Sequence, residues 1–461
     1  MDTAQSCAKS CIGFAGPSRC WSFTWHGPGT TFGAFNKQCF GVMAPRWSPT
    51  PDAGATTGVV QWPCRDDTDC SLNGKCDAAT GTCACRPAWQ GHRCERLALV
   101  PATRGAGYRR VDDGHNTSSW GGAVLHDPKG GKFHMWAAEM TEHCGIGAWA
   151  QNSRIIHAVS DTPGGAYTRK DVTWEVFSHE PEVVRGDKGE YVMFFTAQLR
   201  SQRGECNCCG PESKCDGSTG PHDCGGSKLK PSIKLRGHGA PPHRLGDSDP
   251  SWMSYSTSPD GPWSTPVQIF ANYTGADTNF APYIFPDGSL VAIWREWTAR
   301  GSRCYLATAS DWRDPSTYRQ RIAAGELWPD LGPAGTEDPF LYADPGGNLH
   351  AIFHHMFGLD SATAWWLDAL GGHAFSSDKG KTWTYSGVAW GDPTSTIRGD
   401  VVQWKGGGSF RFTRRERPHL VFDADGRITH ITNAAQYGTA QTPGGGANGD
   451  ACYTLVQPVA Q

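Results

Sequence analysis

From about residue 100 onward, short apolar runs alternate with polar turns. Gly122–Trp136 brackets the turn Asp127-Pro-Lys-Gly-Gly131, and Pro282–Trp294 brackets Pro286-Asp-Gly288. Pro339–Phe353 brackets Asp344-Pro-Gly-Gly347, and Pro418–Ile431 brackets Asp423-Ala-Asp-Gly426. Two strand-length apolar runs joined by a glycine turn predict a β-hairpin. A third strand with its own turn signal follows at Ala158-Val-Ser-Asp161, at Tyr255–Trp263, at Ala307-Thr-Ala-Ser-Asp311 and at Ala374-Phe-Ser-Ser-Asp378. With an outer strand, each unit makes a four-stranded sheet.

The hairpins open on a recurring phrase, a carboxylate or its substitute followed by proline and a hydrophobic strand. Its copies are Glu180-Pro181-Glu182-Val183-Val184, Ala281-Pro282-Tyr283-Ile284-Phe285, Glu337-Asp338-Pro339-Phe340-Leu341 and Glu416-Arg417-Pro418-His419-Leu420. Trp120-Gly121-Gly122-Ala123-Val124 is a weaker fifth. Repetition over tens of residues marks repeat architectures, so the expectation is an all-β, five-bladed β-propeller over residues 98–461. The second and third copies are more widely spaced than the others. The surplus, about 199–250, carries Cys206, Cys208, Cys209, Cys215 and Cys224 and reads as a Cys-rich insertion tied by disulfides.

Composition narrows the function classes. A net charge of −3 gives no basic surface for nucleic acid. No apolar run is long enough to span a membrane. The 58 glycines, 31 prolines and 20 tryptophans suit turn-rich β structure whose aromatic surface packs between blades or stacks on sugar rings. The 18 cysteines point to an oxidising, extracellular compartment. The sequons Asn116-Thr117-Ser118 and Asn272-Tyr273-Thr274 agree with a secreted glycoprotein. The first residues, Met1-Asp-Thr-Ala-Gln5, lack a leader signature and read as a mature or recombinant start.

Two small cysteine-rich segments precede the repeats. Residues 1–63 hold Cys7, Cys11, Cys20 and Cys39, with Cys20-Trp-Ser-Phe-Thr-Trp25, Gln38-Cys39-Phe-Gly-Val42 and Gly58-Val-Val-Gln-Trp62. That pattern resembles a PAN/apple module, which implies a protein- or carbohydrate-binding adaptor and hence a protein partner. In residues 64–97, Cys64, Cys70, Cys76, Cys83, Cys85 and Cys94, with Gly91-His-Arg-Cys94, resemble an EGF-like module. Spacing alone leaves 15 connectivities open. The resemblance implies pairing of first to third, second to fourth and fifth to sixth cysteine.

The five-blade pattern, the Thr336-Glu337-Asp338-Pro339 phrase and the Ser-Asp turns resemble the five-bladed glycoside hydrolases of families 43 and 32 and their relatives. The resemblance implies three axial carboxylates: a base or nucleophile opening blade 1, a tuning aspartate in blade 3, and a general-acid glutamate in blade 4. Glu337 matches the acid. Blade 1 offers no carboxylate at Ser119-Trp120-Gly121. In blade 3 the match falls at Ala281, with Asn279 and Asp277 just before it. Glycoside hydrolysis needs two carboxyls across the scissile bond. The expectation is therefore Glu337 as acid, Glu180 as base and Asp277 in reserve, each reading equally as a structural carboxylate. Trp120, His179, Arg295, His354, Glu416, Arg417 and His419 are expected to line the same funnel and bind substrate. The arginines either recognise an anionic sugar or neutralise the acids.

This chemistry requires no cofactor and no catalytic metal, and a structural calcium is compatible with it. The expected reaction is hydrolysis of a plant, algal or microbial polysaccharide or oligosaccharide. A non-catalytic carbohydrate-binding or adhesion protein is the alternative. A third reading comes from Ser376-Ser-Asp-Lys-Gly-Lys-Thr-Trp383, which resembles the Asp-box of sialidases.

Overall fold

A computed structural model describes residues 5, 22–26, 38–42, 55–59, 63–108, 117–141, 145–146, 149–197, 250–271, 273, 277–298, 301–329, 331, 335–356, 370–392, 399–437 and 451–461. The Cys-rich insertion and both asparagines of the sequons lie outside them. The chain divides into two compact units, 1–96 with 392–397, and 97–391 with 398–461.

In the first unit, β1 (Ser22–His26), β2 (Gln38–Val42) and β3 (Ala55–Val59) form a sheet in the order β2-β1-β3. The cysteine side chains of the PAN/apple-like segment lie outside the described residues. Next comes the hairpin β4 (Gly74–Asp77) and β5 (Thr82–Cys85), then the short strands β6 (Trp89–Gln90) and β7 (Arg96–Leu97). Disulfides join Cys64 to Cys76, Cys70 to Cys83 and Cys85 to Cys94, the pattern that the EGF-like resemblance implies. So small a segment has little core, and its bridges substitute for one.

The second unit is a propeller. Blade 1 comprises β8 (Ser119–His126), β9 (Phe133–Met140), β10 (Ser153–Ser160) and β11 (Thr168–Trp174). Blade 2 comprises β12 (Ser178–Arg185), β13 (Tyr191–Ala197), β14 (Ser251–Ser256) and β15 (Val267–Gln268). Blade 3 comprises β16 (Asp277–Ile284), β17 (Leu290–Thr298), β18 (Gly301–Ala309) and β19 (Arg319–Gln320). Blade 4 comprises β20 (Gly335–Ala343), β21 (Leu349–Met356), β22 (Gly371–Ser376) and β23 (Thr384–Trp390). A hairpin, β24 (Asp400–Gln403) with β25 (Ser409–Phe412), leads into blade 5, which is β26 (Arg414–Phe422), β27 (Ile428–Gln436) and β28 (Cys452–Pro458).

Blade 5 takes its outer edge from the start of the propeller. Leu99 pairs antiparallel with Val459, Val100 N–H donates to Pro458 O, and Tyr108 pairs with Thr454. Polar contacts link each blade to the next. Ser178 Oγ accepts from Ile155 N–H, Trp312 Nε1 donates to Asp187, and Ser302 Oγ donates to Thr336 O. Arg417 joins Asp338, and Thr432 Oγ1 donates to Gly122 O, which closes the ring onto blade 1.

The core lies between blades. Trp136, Ile155, Met193 and Phe195 fill the first gap, Phe194, Phe280 and Trp294 the second, and Ile293, Leu306 and Phe353 the third. Trp136, Trp294, Trp312 and Trp390 are fully buried, so these indoles serve packing rather than sugar stacking. The Asp-box is likewise a local turn. Asp378 accepts from the Thr382 N–H and hydroxyl and from Ser376 Oγ, and Trp383 Nε1 donates to Gly380 O.

Candidate active site

All five innermost strands break their pairing at one equivalent place. The ladder shifts between Trp120 and Ala123, His179 and Glu182, Thr278 and Ala281, Glu337 and Phe340, and Glu416 and His419. Inside each break sits one residue with positive φ: Gly121 (66°), Glu180 (56°), Asn279 (52°), Asp338 (53°) and Arg417 (47°). Non-glycine residues rarely adopt this conformation, and when they do they cluster at functional sites. The bulge turns these five side-chain positions toward the axis.

The break corrects the alignment made from the phrase. In blade 3 the equivalent of Pro181, Pro339 and Pro418 is Phe280, not Pro282, so the axial residue is Asn279. In blade 4 the axial residue is Asp338, and Glu337 stands one place earlier, level with His179, Thr278 and Glu416. Asp277 opens β16 opposite Glu296, and its side chain lies outside the described residues.

The axial groups form one network. Arg417 lies 3.1 Å from Glu180 Oε1 and 3.0 Å from Asp338 Oδ1, and its N–H donates to Asp338 Oδ2 at 3.2 Å. Asn279 Nδ2 donates to the second Glu180 oxygen at 2.5 Å, while its Oδ1 accepts from Arg295 Nε at 2.7 Å. Gly121 explains the absent blade 1 carboxylate. A Cβ there would meet Arg417 Nε at 3.0 Å and its Cδ at 3.2 Å, so the arginine occupies that space. Gly121→Ala is expected to cost about 1–2 kcal/mol from the left-handed backbone alone, read as a lower urea midpoint. An unchanged midpoint would refute this account.

A second tier lies one residue earlier. His354 Nδ1 donates to Glu337 Oε1 at 3.1 Å, and Arg295 stands 3.9 Å from Glu337 Oε2. Arg414 grips Glu416 through two contacts of 2.6 Å and lies over the Trp120 ring, 4.8 Å from its centre. His179 bonds Ser153 Oγ at 2.7 Å, stands 3.8 Å from Glu180 and stacks on Trp149. Trp149 was not anticipated, because a lone tryptophan opening the helical turn Trp149–Asn152 carries no periodic signal. His419 lies deeper, beside an axial cavity lined by Gly122, Pro181, Glu182, Pro339 and Pro418. Its Nδ1 accepts from Val124 N–H, and its Nε2 stands 3.3 Å from Glu182 Oε1.

These contacts separate the proton affinities of the acids. Burial and the charges of Glu337, Glu180 and Glu416 outweigh Arg417 and raise Asp338 to about 7. Burial would raise Glu180 too, but Arg417, His179 and Arg295 hold it below the usual carboxylate range. Glu337 falls to about 2, because His354 and Arg295 override its burial. His354 rises to about 9 against its own burial, under Glu416 and Glu337. Glu337, Asp338, His354 and Glu416 present donor atoms within 4.8 Å of one another, as a metal site would. Arg414 and protonated His354 already meet these carboxylates, so a divalent ion would compete with two cations.

The EGF-like domain family matches residues 64–94. No curated protein sequence matches the chain. Among solved structures, a thermostable family-43 glycoside hydrolase is similar at 11% identity and a TM-score of 0.45, over 74% of this chain and 89% of that one. A family 117 glycoside hydrolase from Zobellia galactanivorans aligns at 12% identity and 0.44, over 79% and 90%. An endo-arabinase from Bacteroides thetaiotaomicron aligns at 11% and 0.43, over 75% and 95%. At such low identity the funnel residues themselves must carry the chemistry. Among the described residues, no helix is long and apolar enough to cross a membrane.

Proposed function

We propose that the propeller is a glycoside hydrolase acting on a polysaccharide or oligosaccharide outside the cell, with Asp338 as general acid and Glu180 as its anionic partner. The observation that carries this reading is the split between two carboxyls joined by one arginine. Asp338 keeps its proton up to about pH 7, while Glu180 is held ionised. Environments that push two carboxyls apart in this way assign acid and base roles. Asp338 would protonate the glycosidic oxygen as the bond to the anomeric carbon breaks. Glu180 would stabilise or attack the positive centre that forms. Glu337 and Glu416 act through Asp338, as like charges that hold its proton.

Both acids contact the same Arg417 nitrogen, so the two contacting oxygens are at most about 6 Å apart, the sum of the two distances. That bound lies nearer the roughly 5–5.5 Å of retaining enzymes, in which the second carboxylate is the nucleophile, than the roughly 6.5–9.5 Å of inverting ones, and it favours retention. The product is expected to keep the anomeric configuration of the substrate when followed by proton NMR during early turnover. Initial inversion would remove Glu180 from the nucleophile role. The activity itself is tested by screening chromogenic glycosides and algal polysaccharides.

One observation favours a second reading. Each charged axial group is already paired, and the blade 1 and blade 3 positions carry Gly121 and Asn279 in place of acids. A carbohydrate-binding protein would use the same funnel without cleaving. Saturable binding of a glycan that remains uncut over prolonged incubation would establish it.

A further inference from the structure

Blade 1 carries a second group of ionisable side chains, on its outer strands. His134 on β9 and His157 on β10 lie edge to edge with ring centres 5.0 Å apart, and His134 Nδ1 lies 2.8 Å from His157 Nε2. Trp136 stacks on His157, with ring centres 5.1 Å apart. Asp171 on β11 accepts from His157 Nδ1 at 3.1 Å. That bond fixes the tautomer, so the Nε2 lone pair of His157 faces His134. Asp260, in the turn at the edge of blade 2, reaches across to 3.9 Å from His157 Nδ1. Donor atoms of His134, His157 and Asp260 lie within 4.8 Å of one another.

Blade 4 supplies an internal comparison. His350 and His373 are also 23 residues apart, with ring centres 5.3 Å apart, and are joined Nδ1 to Nε2 at 3.0 Å. There the third-strand histidine bonds the Ser386 hydroxyl where His157 bonds Asp171. The joined pair is therefore a device of the scaffold. Blade 4 also has one carboxylate nearby, the buried Asp344 at 3.8 Å from His350 Nε2. Blade 1 differs in placing two, Asp171 and Asp260, beside the third-strand histidine, both partly open to solvent at 44% and 47% side-chain exposure.

We propose that His134, His157 and Asp260 form a binding site for a first-row divalent metal, zinc foremost, that ties blade 1 to blade 2. Two imidazoles and one carboxylate suit zinc, whereas calcium and magnesium prefer all-oxygen shells. Asp171 behind His157 completes the carboxylate–histidine–metal arrangement that orients such ligands. The ion displaces the proton shared by the rings, which must part from their 2.8 Å contact to admit two metal–nitrogen bonds of about 2.0–2.1 Å, and His134 shifts that proton from Nδ1 to Nε2. A water fills the fourth position. The Lys170 ammonium, 2.5 Å from Asp260, now supplies the positive charge there, and it is exposed enough to swing away.

The test uses the full chain, stripped with chelator and titrated with Zn²⁺ or Co²⁺. The expected result is one equivalent bound at this site, with tetrahedral Co²⁺ absorption bands and a raised melting temperature. Asp260→Asn, at a half-exposed position, should abolish that equivalent without unfolding the protein. Asp171→Asn should weaken it by about 10- to 100-fold, and Lys170→Gln should strengthen it. His350→Gln in blade 4 should leave it unchanged. No stoichiometric binding by the wild type would overturn the proposal. So would binding that survives Asp260→Asn, which would place the metal elsewhere.

Discussion

Replacing Asp338 by asparagine is expected to lower kcat/KM by about 10²–10⁴-fold, the usual contribution of a general acid. The amide keeps the size of the side chain and one of the two acceptors that Arg417 uses, so folding should survive. Substrates whose leaving groups need no protonation should lose least. Glu337→Gln separates this assignment from the one the blade 4 phrase suggests. If Glu337 only supplies a like charge beside Asp338, its loss leaves substantial activity and lowers the proton affinity of Asp338. The basic limb of the kcat/KM profile, expected at about 7 in the wild type, then moves to lower pH. The acid limb belongs to Glu180 and should fall below the ordinary carboxylate range. Abolition of activity by Glu337→Gln, with Asp338→Asn still active, would exchange the two roles.

Arg417→Met should produce the largest loss of stability, about 3–5 kcal/mol at neutral pH, because it strands buried Glu180 without its cation. The pH dependence gives the cause. In the wild type Glu180 has a folded proton affinity below its unfolded one. Its contribution is present above the unfolded value, near 4.5, and is lost as pH falls through the folded value. The variant lacks that contribution, and its carboxylate can be neutralised by protonation. Its deficit should therefore narrow as the pH is lowered from 7 to 4, measured by urea unfolding at each pH. An equal deficit at both values would mean that Arg417 acts through packing alone.

Much of this architecture was legible in the chain. Hairpins around Asp127–Gly131, Pro286–Gly288, Asp344–Gly347 and Asp423–Gly426 are local events, set by turn residues and flanking β-formers, and each appears where the pattern places it. The site was harder, because it depends on one residue of register. Pro282 imitates the phrase but lies beyond the bulge, and nothing in Asn279-Phe280 marks a left-handed conformation. Proline after the axial residue gave the right place in blades 2, 4 and 5, where it follows Glu180, Asp338 and Arg417. The arginines of blade 5 resolve into pairs: Arg414 with Glu416, Arg415 with Asp400, and Arg417 with two acids. Which acid keeps its proton was beyond reach, because it follows from charges brought together from four blades.

Blades 1 to 4 leave the ribosome before Arg417 does. They already carry Glu180 and Asp338, whose shared cation belongs to the blade made last. Residues 98–100 meanwhile have no edge to join until β28 exists. Until then the two acids face each other without the cation that bridges them, and the ring has reason to stay open. Completion of synthesis, closure of the ring and assembly of the charged centre thus become one event, so a chain cut short in blade 5 would be inert as well as unstable.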